Sequence, residues 1–326
     1  MKKENILKVE DLTVSFSRYQ KGFHKTSLEV IHSLSLEVNS GEIVAVVGSS
    51  GSGKSLLAHA VLQLLPQNAK TKGEILYRGN SLGEKQSRKL LGREISFIPQ
   101  SVDYLDPLMR VGAQVQGVYG TKERQQMLFQ QFGLAQDTQQ KYPFQLSGGM
   151  ARRVLISAAL MENAKLMIAD EPTPGLSVDL AMDTLKYFRN VADQGAGVLL
   201  ITHDIDLALQ VADRIAVFYA GTILELAPTE DFVKGGQALR HPYSRAFMSA
   251  LPQNEFQPLA GSQPYAGNLP KGCLFAQRCS LCDEQCKSED AALMRQVAGG
   301  KVRCIHAIDQ DRNREIGNRH QAMAGI

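Results

Sequence analysis

The chain has 326 residues, with 36 basic against 33 acidic side chains and a formal charge of +3. That surplus is too small for a nucleic-acid sleeve or a polybasic membrane anchor, so no nucleic-acid partner is expected. With 44% hydrophobic and 21% charged residues, the chain can build one sizeable core and an appended region of about a hundred residues. The longest apolar runs, such as Ile43 to Val47 and Ile215 to Ala220, fall far short of the ~20 residues that cross a bilayer as a helix. Residues 1–11 mix charges with isolated apolar side chains instead of forming a signal-peptide core, so a cytosolic chain is expected.

Taken in chain order, Leu28 to Val38 holds apolar residues at 28, 30, 34, 36 and 38, a parity that predicts an edge or antiparallel strand. Glu42 to Val47 is nearly all apolar and closed by glycine, the pattern of a strand buried on both faces of a parallel sheet. A helix is predicted from Lys54 to about Leu65. Residues 101–165 are poor in strand signals and rich in Gln, Leu and Met at helical spacings, which predicts an inserted helical subdomain. Leu166 to Ala169, Val198 to Thr202 and Ile215 to Tyr219 supply further buried strands. The fold class expected is α/β, a nucleotide-binding sheet with its chemistry at the carboxyl ends of the strands. Beyond Ala227-Pro228 the pattern loosens, and residues 252–270 carry Pro252, Pro258, Gly261, Pro264, Gly267 and Pro270, a linker composition. The expected organisation is 1–235, 236–310 and a flexible tail over 311–326, with no internal repeat.

Gly48-Ser-Ser-Gly-Ser-Gly53-Lys54-Ser55 fits G-x-x-x-x-G-K-[ST] between the buried strand and its helix, the context of a phosphate-binding loop. Gly48, Ser49, Gly51, Ser52 and Gly53 let backbone N–H groups converge on phosphate oxygens at a helix N-terminus. Lys54 reaches the β and γ phosphates, and Ser55 offers its hydroxyl to Mg²⁺. Hydrolysis also requires a metal carboxylate and a group that activates water. Asp170 at a strand end suits Mg²⁺, and adjacent Glu171 suits a general base. His203 follows the strand ending at Thr202 and can donate to the γ-phosphate. Gln100 closes the run from Ile95 and offers an amide oxygen to Mg²⁺ or to the water.

These residues resemble the ATP-binding subunits of ABC transporters over about the first 230 positions. The resemblance rests on the phosphate loop, on Phe97-Ile-Pro-Gln100 (similar to the Q-loop), on Leu146-Ser-Gly-Gly149-Met150 (similar to the signature), on Asp170-Glu171, and on Thr202-His203-Asp204. It implies a P-loop NTPase of the ABC type, taking ATP and Mg²⁺. Two such subunits would sandwich ATP, with Ser147, Gly148 and Gly149 of one closing on the phosphate loop of the other. Phe16 stands at the position of the adenine-stacking aromatic, with Tyr19 and Phe23 close by in sequence. Ser177 stands where the family's D-loop has Asp, which bears on communication between the two ATP sites. His241-Pro242-Tyr243-Ser244 and the Gly-Cys273…Arg-Cys279 pattern are similar to the C-terminal extension of oligopeptide, dipeptide and nickel importers. That resemblance implies a paralogous second ATPase, two permease subunits, an extracytoplasmic binding protein, and a place on the cytoplasmic face of the membrane. The competing readings are a soluble ABC-type ATPase without a permease and a catalytically weak half of a heterodimer.

No cysteine occurs before Cys273, and five occur within 32 residues, at 273, 279, 282, 286 and 304. In a reducing compartment such clustering points to metal before disulfides. Four thiolates suit zinc or an iron–sulfur cluster, and the spacings match neither a common zinc finger nor the ferredoxin patterns. The family resemblance selects Cys273, Cys279, Cys286 and Cys304 for a four-iron cluster and leaves Cys282 spare. His306 keeps a mixed zinc site open.

Overall fold

The computed structural model describes residues 3–19, 25–49, 51–233, 236 and 238–307. The tail expected over 311–326 and Phe23 therefore lie outside the described residues. Two sheets stack through the middle of the chain. The first is antiparallel, in the order β2-β1-β4-β5, from β1 (Asn5–Tyr19), β2 (Lys25–Asn39), β4 (Ala69–Tyr77) and β5 (Asn80–Ser81). The parity noted from Leu28 belongs to β2, which pairs antiparallel with β1 from Asn5↔Asn39 to Tyr19↔Lys25.

The second sheet runs β11-β12-β10-β9-β3-β8-β7-β6. Its parallel part consists of β3 (Glu42–Val47), β6 (Ile95–Ile98), β7 (Leu166–Asp170), β8 (Gly197–Thr202) and β9 (Arg214–Tyr219). All six residues of β3 are buried, and alternate side chains feed two different cores. Ile43, Ala45 and Val47 join the core with the helices and the C-terminal region, while Val44 and Val46 join the core under the antiparallel sheet. That two-sided burial is why the strand reads as an unbroken apolar run.

Helix α1 (Lys54–Val61) follows β3 directly. It ends short of the expected Leu65 because Gln63 adopts a left-handed φ of 59°, which a helix cannot continue through. After α2 (Glu84–Leu90) and β6, the region expected to be helical contains α3 (Val111–Gln116), α4 (Lys122–Gln131), α5 (Gly148–Ala159) and short 3₁₀ turns. Helices α6 (Val178–Asp193) and α7 (Ile205–Val211) connect the later parallel strands. The chain then runs through β10 (Thr222–Pro228), α8 (Thr229–Val233) and α9 (Pro242–Ser249). No helix or strand occupies residues 252–270, as the proline and glycine content predicts.

The strands β11 (Arg295–Val297) and β12 (Gly300–Val302) extend the main sheet, with β12 pairing antiparallel to β10. One sheet thus crosses the point near 235 where the sequence suggests a boundary. Glu225 on β10 anchors the crossing. Its buried carboxylate accepts the backbone N–H groups of Arg240 at 2.7 Å and His241 at 2.9 Å. Arg240 adds a 2.8 Å ion pair to Asp231 and donates to Val297 O at 2.8 Å.

Candidate functional site

Four neighbouring parallel strands, β3, β8, β7 and β6, carry the predicted site residues at their carboxyl ends. The phosphate loop leaves β3, Gln100 follows β6, Asp170 closes β7 and His203 follows β8. Gly48 is required sterically, since a Cβ there would lie 2.5 Å from the Phe218 carbonyl oxygen on β9. Gly53 turns the chain into α1 with φ 99°, a conformation that costs a side-chain-bearing residue ~1–2 kcal/mol.

Lys54 is buried and folds back on its own loop, with Nζ donating to the Gly48 and Ser49 carbonyls at 2.9 Å each. Burial pushes its pKa down, against the pull of Glu171 and Asp170. Ser52 is buried and its hydroxyl has no hydrogen-bond partner among the described residues, an orphaned polar atom inside the loop that a phosphate oxygen would satisfy. Ser55 Oγ lies 3.1 Å from Asp170 Oδ1 and 3.4 Å from Gln100 Oε1. Three hard oxygen donors therefore converge from three separate segments, the ligand set Mg²⁺ prefers. Asp170 is 1% exposed, and its pKa is pushed up to about 6, chiefly by burial, with Glu171 adding to the rise and the Ser55 hydrogen bond opposing it. A cation at this point would hold the carboxylate ionised.

Glu171 is buried and adopts a left-handed φ of 48°. Its N–H donates to Ile201 O at 2.9 Å, and His203 Nδ1 donates to its Oε2 at 2.7 Å. The histidine side chain stays 56% exposed beside a glutamate that is 7% exposed. A buried carboxylate in strained backbone, gripped by an exposed histidine, belongs to a site more often than to a scaffold.

Ser147, Gly148 and Gly149 open α5. Ser147 caps it, accepting Met150 N–H at 3.3 Å, and with Gly148 it stands exposed. Gly149 has no room for a side chain, since its Cβ would sit 3.0 Å from Gly175 O in the turn after Glu171. Ser177 is the exposed residue preceding α6, and its side chain makes no capping bond. Phe16 lies on β1 opposite Leu28, partly buried against the antiparallel sheet. Two positions along β2, Val30 would touch a Cβ at Gly53, 3.6 Å away.

Sequence reasoning missed Arg152. From α5 its guanidinium donates to Pro99 O at 2.7 Å and also to Gln100 O, tying the helix behind the signature to the loop carrying Gln100. The signal was available. Arg152 shares a helical stripe with Leu155 and Ile156, and a charge on an apolar stripe demands a buried partner. His59 on α1 was also missed, and it contacts the Tyr104 hydroxyl at 3.0 Å just beyond Gln100.

A family model described as "ABC transporter" matches residues 31–174, and one described as "Oligopeptide/dipeptide transporter, C-terminal region" matches residues 224–286. The chain is 33% identical to the dipeptide transport ATP-binding protein DppD of Escherichia coli (strain K12), covering 93% of this chain and 97% of that one. It is likewise 33% identical to the oligopeptide transport ATP-binding protein OppD of Bacillus subtilis (strain 168), over 84% and 81%. The chain belongs to the ATP-binding subunits of oligopeptide and dipeptide ABC transporters. As a member it binds ATP with Mg²⁺ and hydrolyses it to energise an ABC importer. The fold agrees with the dimeric structure of the ATP-binding cassette MJ0796 in a post-hydrolysis state, at TM-score 0.59 and 23% identity over 69% of this chain and 99% of that one. Among the described residues no helix is long and apolar enough to cross a membrane.

The structure explains the family's C-terminal motif. His241 caps α9, its Nδ1 accepting Tyr243 N–H at 3.0 Å, and Pro242 takes the first helical position. Tyr243 packs on Tyr219 and Phe275 with ring centroids 4.4 and 5.3 Å apart. Gly272 is forced by close approach, since its Cβ would meet Cys286 O and Ser288 O at 2.5 Å. Arg278 fastens the linker, donating to Ala260 O at 2.8 Å and Leu259 O at 3.1 Å.

Cys273, Cys279, Cys286 and Cys304 line one enclosed gap together with His241 and His306, whereas Cys282 is exposed. Burial pushes the thiol of Cys273 up to about 11 and that of Cys286 up to about 12, and raises Cys279 and Cys304. The tightest ligand group among the described residues is Asp283, Cys286 and His306, within 4.8 Å of one another.

Proposed function

We propose that the chain powers a peptide importer, and that its site residues act as follows. Ser55, Asp170 and Gln100 hold Mg²⁺, which supplies charge neutralisation for the transferred phosphoryl group. Lys54 leaves the Gly48 and Ser49 carbonyls for the β and γ phosphates, while Gly48, Ser49, Gly51, Ser52 and Gly53 wrap them. Glu171 accepts a proton from the attacking water as the water oxygen bonds to γ-phosphorus and the bond to the β-phosphate oxygen breaks, releasing ADP and phosphate. His203 turns from Glu171 toward the γ-phosphate as the site closes. Phe16 stacks on the adenine.

The convergence of Ser55, Asp170 and Gln100 beside the Glu171–His203 pair carries this reading. It supports a metal cradle beside a water-activating carboxylate at one sheet edge. The signature Ser147, Gly148 and Gly149, at the N-terminus of α5 with its first two residues exposed, then serves the nucleotide of a second ATPase subunit, a paralogue, whose own signature serves this one. Ser177 leaves that exchange without the usual D-loop carboxylate.

The remaining partners are two permeases and an extracytoplasmic binding protein, with the chain held at the cytoplasmic face. Exposed Tyr104, Leu108 and Met109, just past Gln100, offer a permease an apolar foothold next to the nucleotide site. The names of the peptide-transporting relatives support peptides over nickel as cargo. The units 1–235, with a helical part at about 101–165, and 236–310 remain the working division.

The cysteine gap fits a metal held by Cys273, Cys279, Cys286 and Cys304. Three of the thiols are buried and that of Cys279 is half-buried, all four are free of disulfides, and they line one space. A four-iron cluster fits better than a single zinc, whose four bonds of ~2.3 Å would draw the sulfurs into a tight tetrahedron, a closeness that among the described residues Asp283, Cys286 and His306 approach and the four thiols do not. Such a cluster would staple a region with little core of its own. Uptake of labelled dipeptides, longer peptides and Ni²⁺ into vesicles carrying the co-expressed permeases tests the cargo. ATP-dependent accumulation of peptide is expected, and accumulation of Ni²⁺ alone would overturn the assignment.

A further inference from the structure

His241 does more than cap α9. Its ring is 1% exposed and lines the gap shared by Cys273, Cys279, Cys286 and Cys304. Because Nδ1 accepts the Tyr243 N–H at 3.0 Å, the ring proton resides on Nε2. The Nε2–H of His241 is buried with no hydrogen-bond partner among the described residues, and an unsatisfied buried donor is costly enough to need a reason.

The ring cannot turn away to find one. Pro242 fixes the backbone beside it, Phe275 packs against it with ring centroids 5.9 Å apart, and its own N–H is held by Glu225 at 2.9 Å. A neutral thiol accepts hydrogen bonds weakly, whereas a thiolate or sulfide carrying negative charge accepts them well. His306 differs, since its Nε2 already lies 3.4 Å from both Cys286 Sγ and Asp283 Oδ2.

We propose that the Nε2–H of His241 donates to a charged sulfur of the cluster held in this gap, making His241 a positioning residue that tunes the cluster's reduction potential. The proposal rests on the iron–sulfur reading above. A hydrogen bond to sulfur disperses negative charge and favours the more reduced state, so it raises the potential.

Two substitutions separate the cap from the donor. In His241→Asn the amide oxygen can still accept Tyr243 N–H, but the side chain is too short to reach the gap. In His241→Gln the amide nitrogen reaches the gap and the cap is lost. Full-length wild-type and variant proteins, purified anaerobically, are assayed for iron and acid-labile sulfide. Their midpoint potentials are then titrated by visible absorbance and electron paramagnetic resonance.

The expected result is wild-type iron and sulfide content in His241→Asn with a more negative midpoint, moved back toward wild type in His241→Gln. An unchanged midpoint in loaded His241→Asn overturns the donor role. If His241→Asn fails to load, His241→Leu supplies the donor-free site: a midpoint more negative than wild type supports the role, and an unchanged one overturns it. Wild-type protein without iron or sulfide removes the cluster reading itself, a result distinct from a loaded protein indifferent to His241.

Discussion

Replacing Arg152 with Met keeps a long side chain on α5 and removes the guanidinium. Two bonds are lost, and their surroundings decide their weight. The bond to Pro99 O, 2.7 Å long, is buried at both ends, so its carbonyl is left unsatisfied at a cost of ~1.5–3 kcal/mol. Gln100 is exposed, so water can replace the second bond and little is added. The expected destabilisation is therefore ~2–3 kcal/mol, a drop of about 1 M in the urea midpoint for a slope near ~3 kcal/mol/M. Because the same bonds hold the backbone of Gln100, kcat for ATP should fall by roughly tenfold, equivalent to ~1.4 kcal/mol. Nucleotide affinity should stay within about threefold, since the loop holding the phosphates is untouched. Arg152→Lys should lie between, because an ammonium cannot serve both carbonyls as a planar fork does. A Met variant with the wild-type urea midpoint and full turnover would refute the tie between α5 and the Gln100 loop.

Other substitutions probe the rest of the framework. Gly48→Ala puts a Cβ 2.5 Å from Phe218 O on β9, so the loop must shift at a cost of ~1–3 kcal/mol. Calorimetric titration should show ATP binding weakened by roughly tenfold or more, and unchanged affinity would mean that the loop tolerates the shift. Glu225→Ala strips the acceptor from two backbone N–H groups and leaves Arg240, 6% exposed as a side chain, short of a partner. Breaking such a buried pair costs ~3–5 kcal/mol, so the melting temperature should drop by about 10 °C and protease should release the C-terminal region. Resistance equal to wild type would show that the anchor lies elsewhere.

The site was legible in the sequence where a short motif coincides with a strand buried on both faces. β3, β7 and β8 are continuous apolar runs, and the residues just past them fall on one sheet edge by topology alone. β1 was not legible, because its alternation breaks at a bulge between Val9 and Leu12, where Asp11 takes φ 47°. The matching irregularity in β2, with Ser33 at φ 39°, explains why the apolar parity of Leu28 to Val38 skips His32 and puts apolar Ile31 out of step. β11 and β12 span three residues each, too few for any period to register. Arg152 and Glu225 act through partners 53 and 15 positions away, distances over which local pattern is silent. The clustered cysteines pointed to a metal with His306 beside Cys304, whereas only the fold brings His241 to the same gap.

The central claim is that Glu171 drives a nucleotide cycle coupled to cargo. The direct measurement is ATP hydrolysis by the complete transporter in lipid vesicles, with and without its binding protein and peptide, for wild type and Glu171→Gln. Peptide should stimulate the wild type, and the variant should retain ATP binding while losing turnover by ~10²–10⁴. Hydrolysis in Glu171→Gln at the wild-type rate, or wild-type hydrolysis indifferent to peptide and binding protein, would contradict the account.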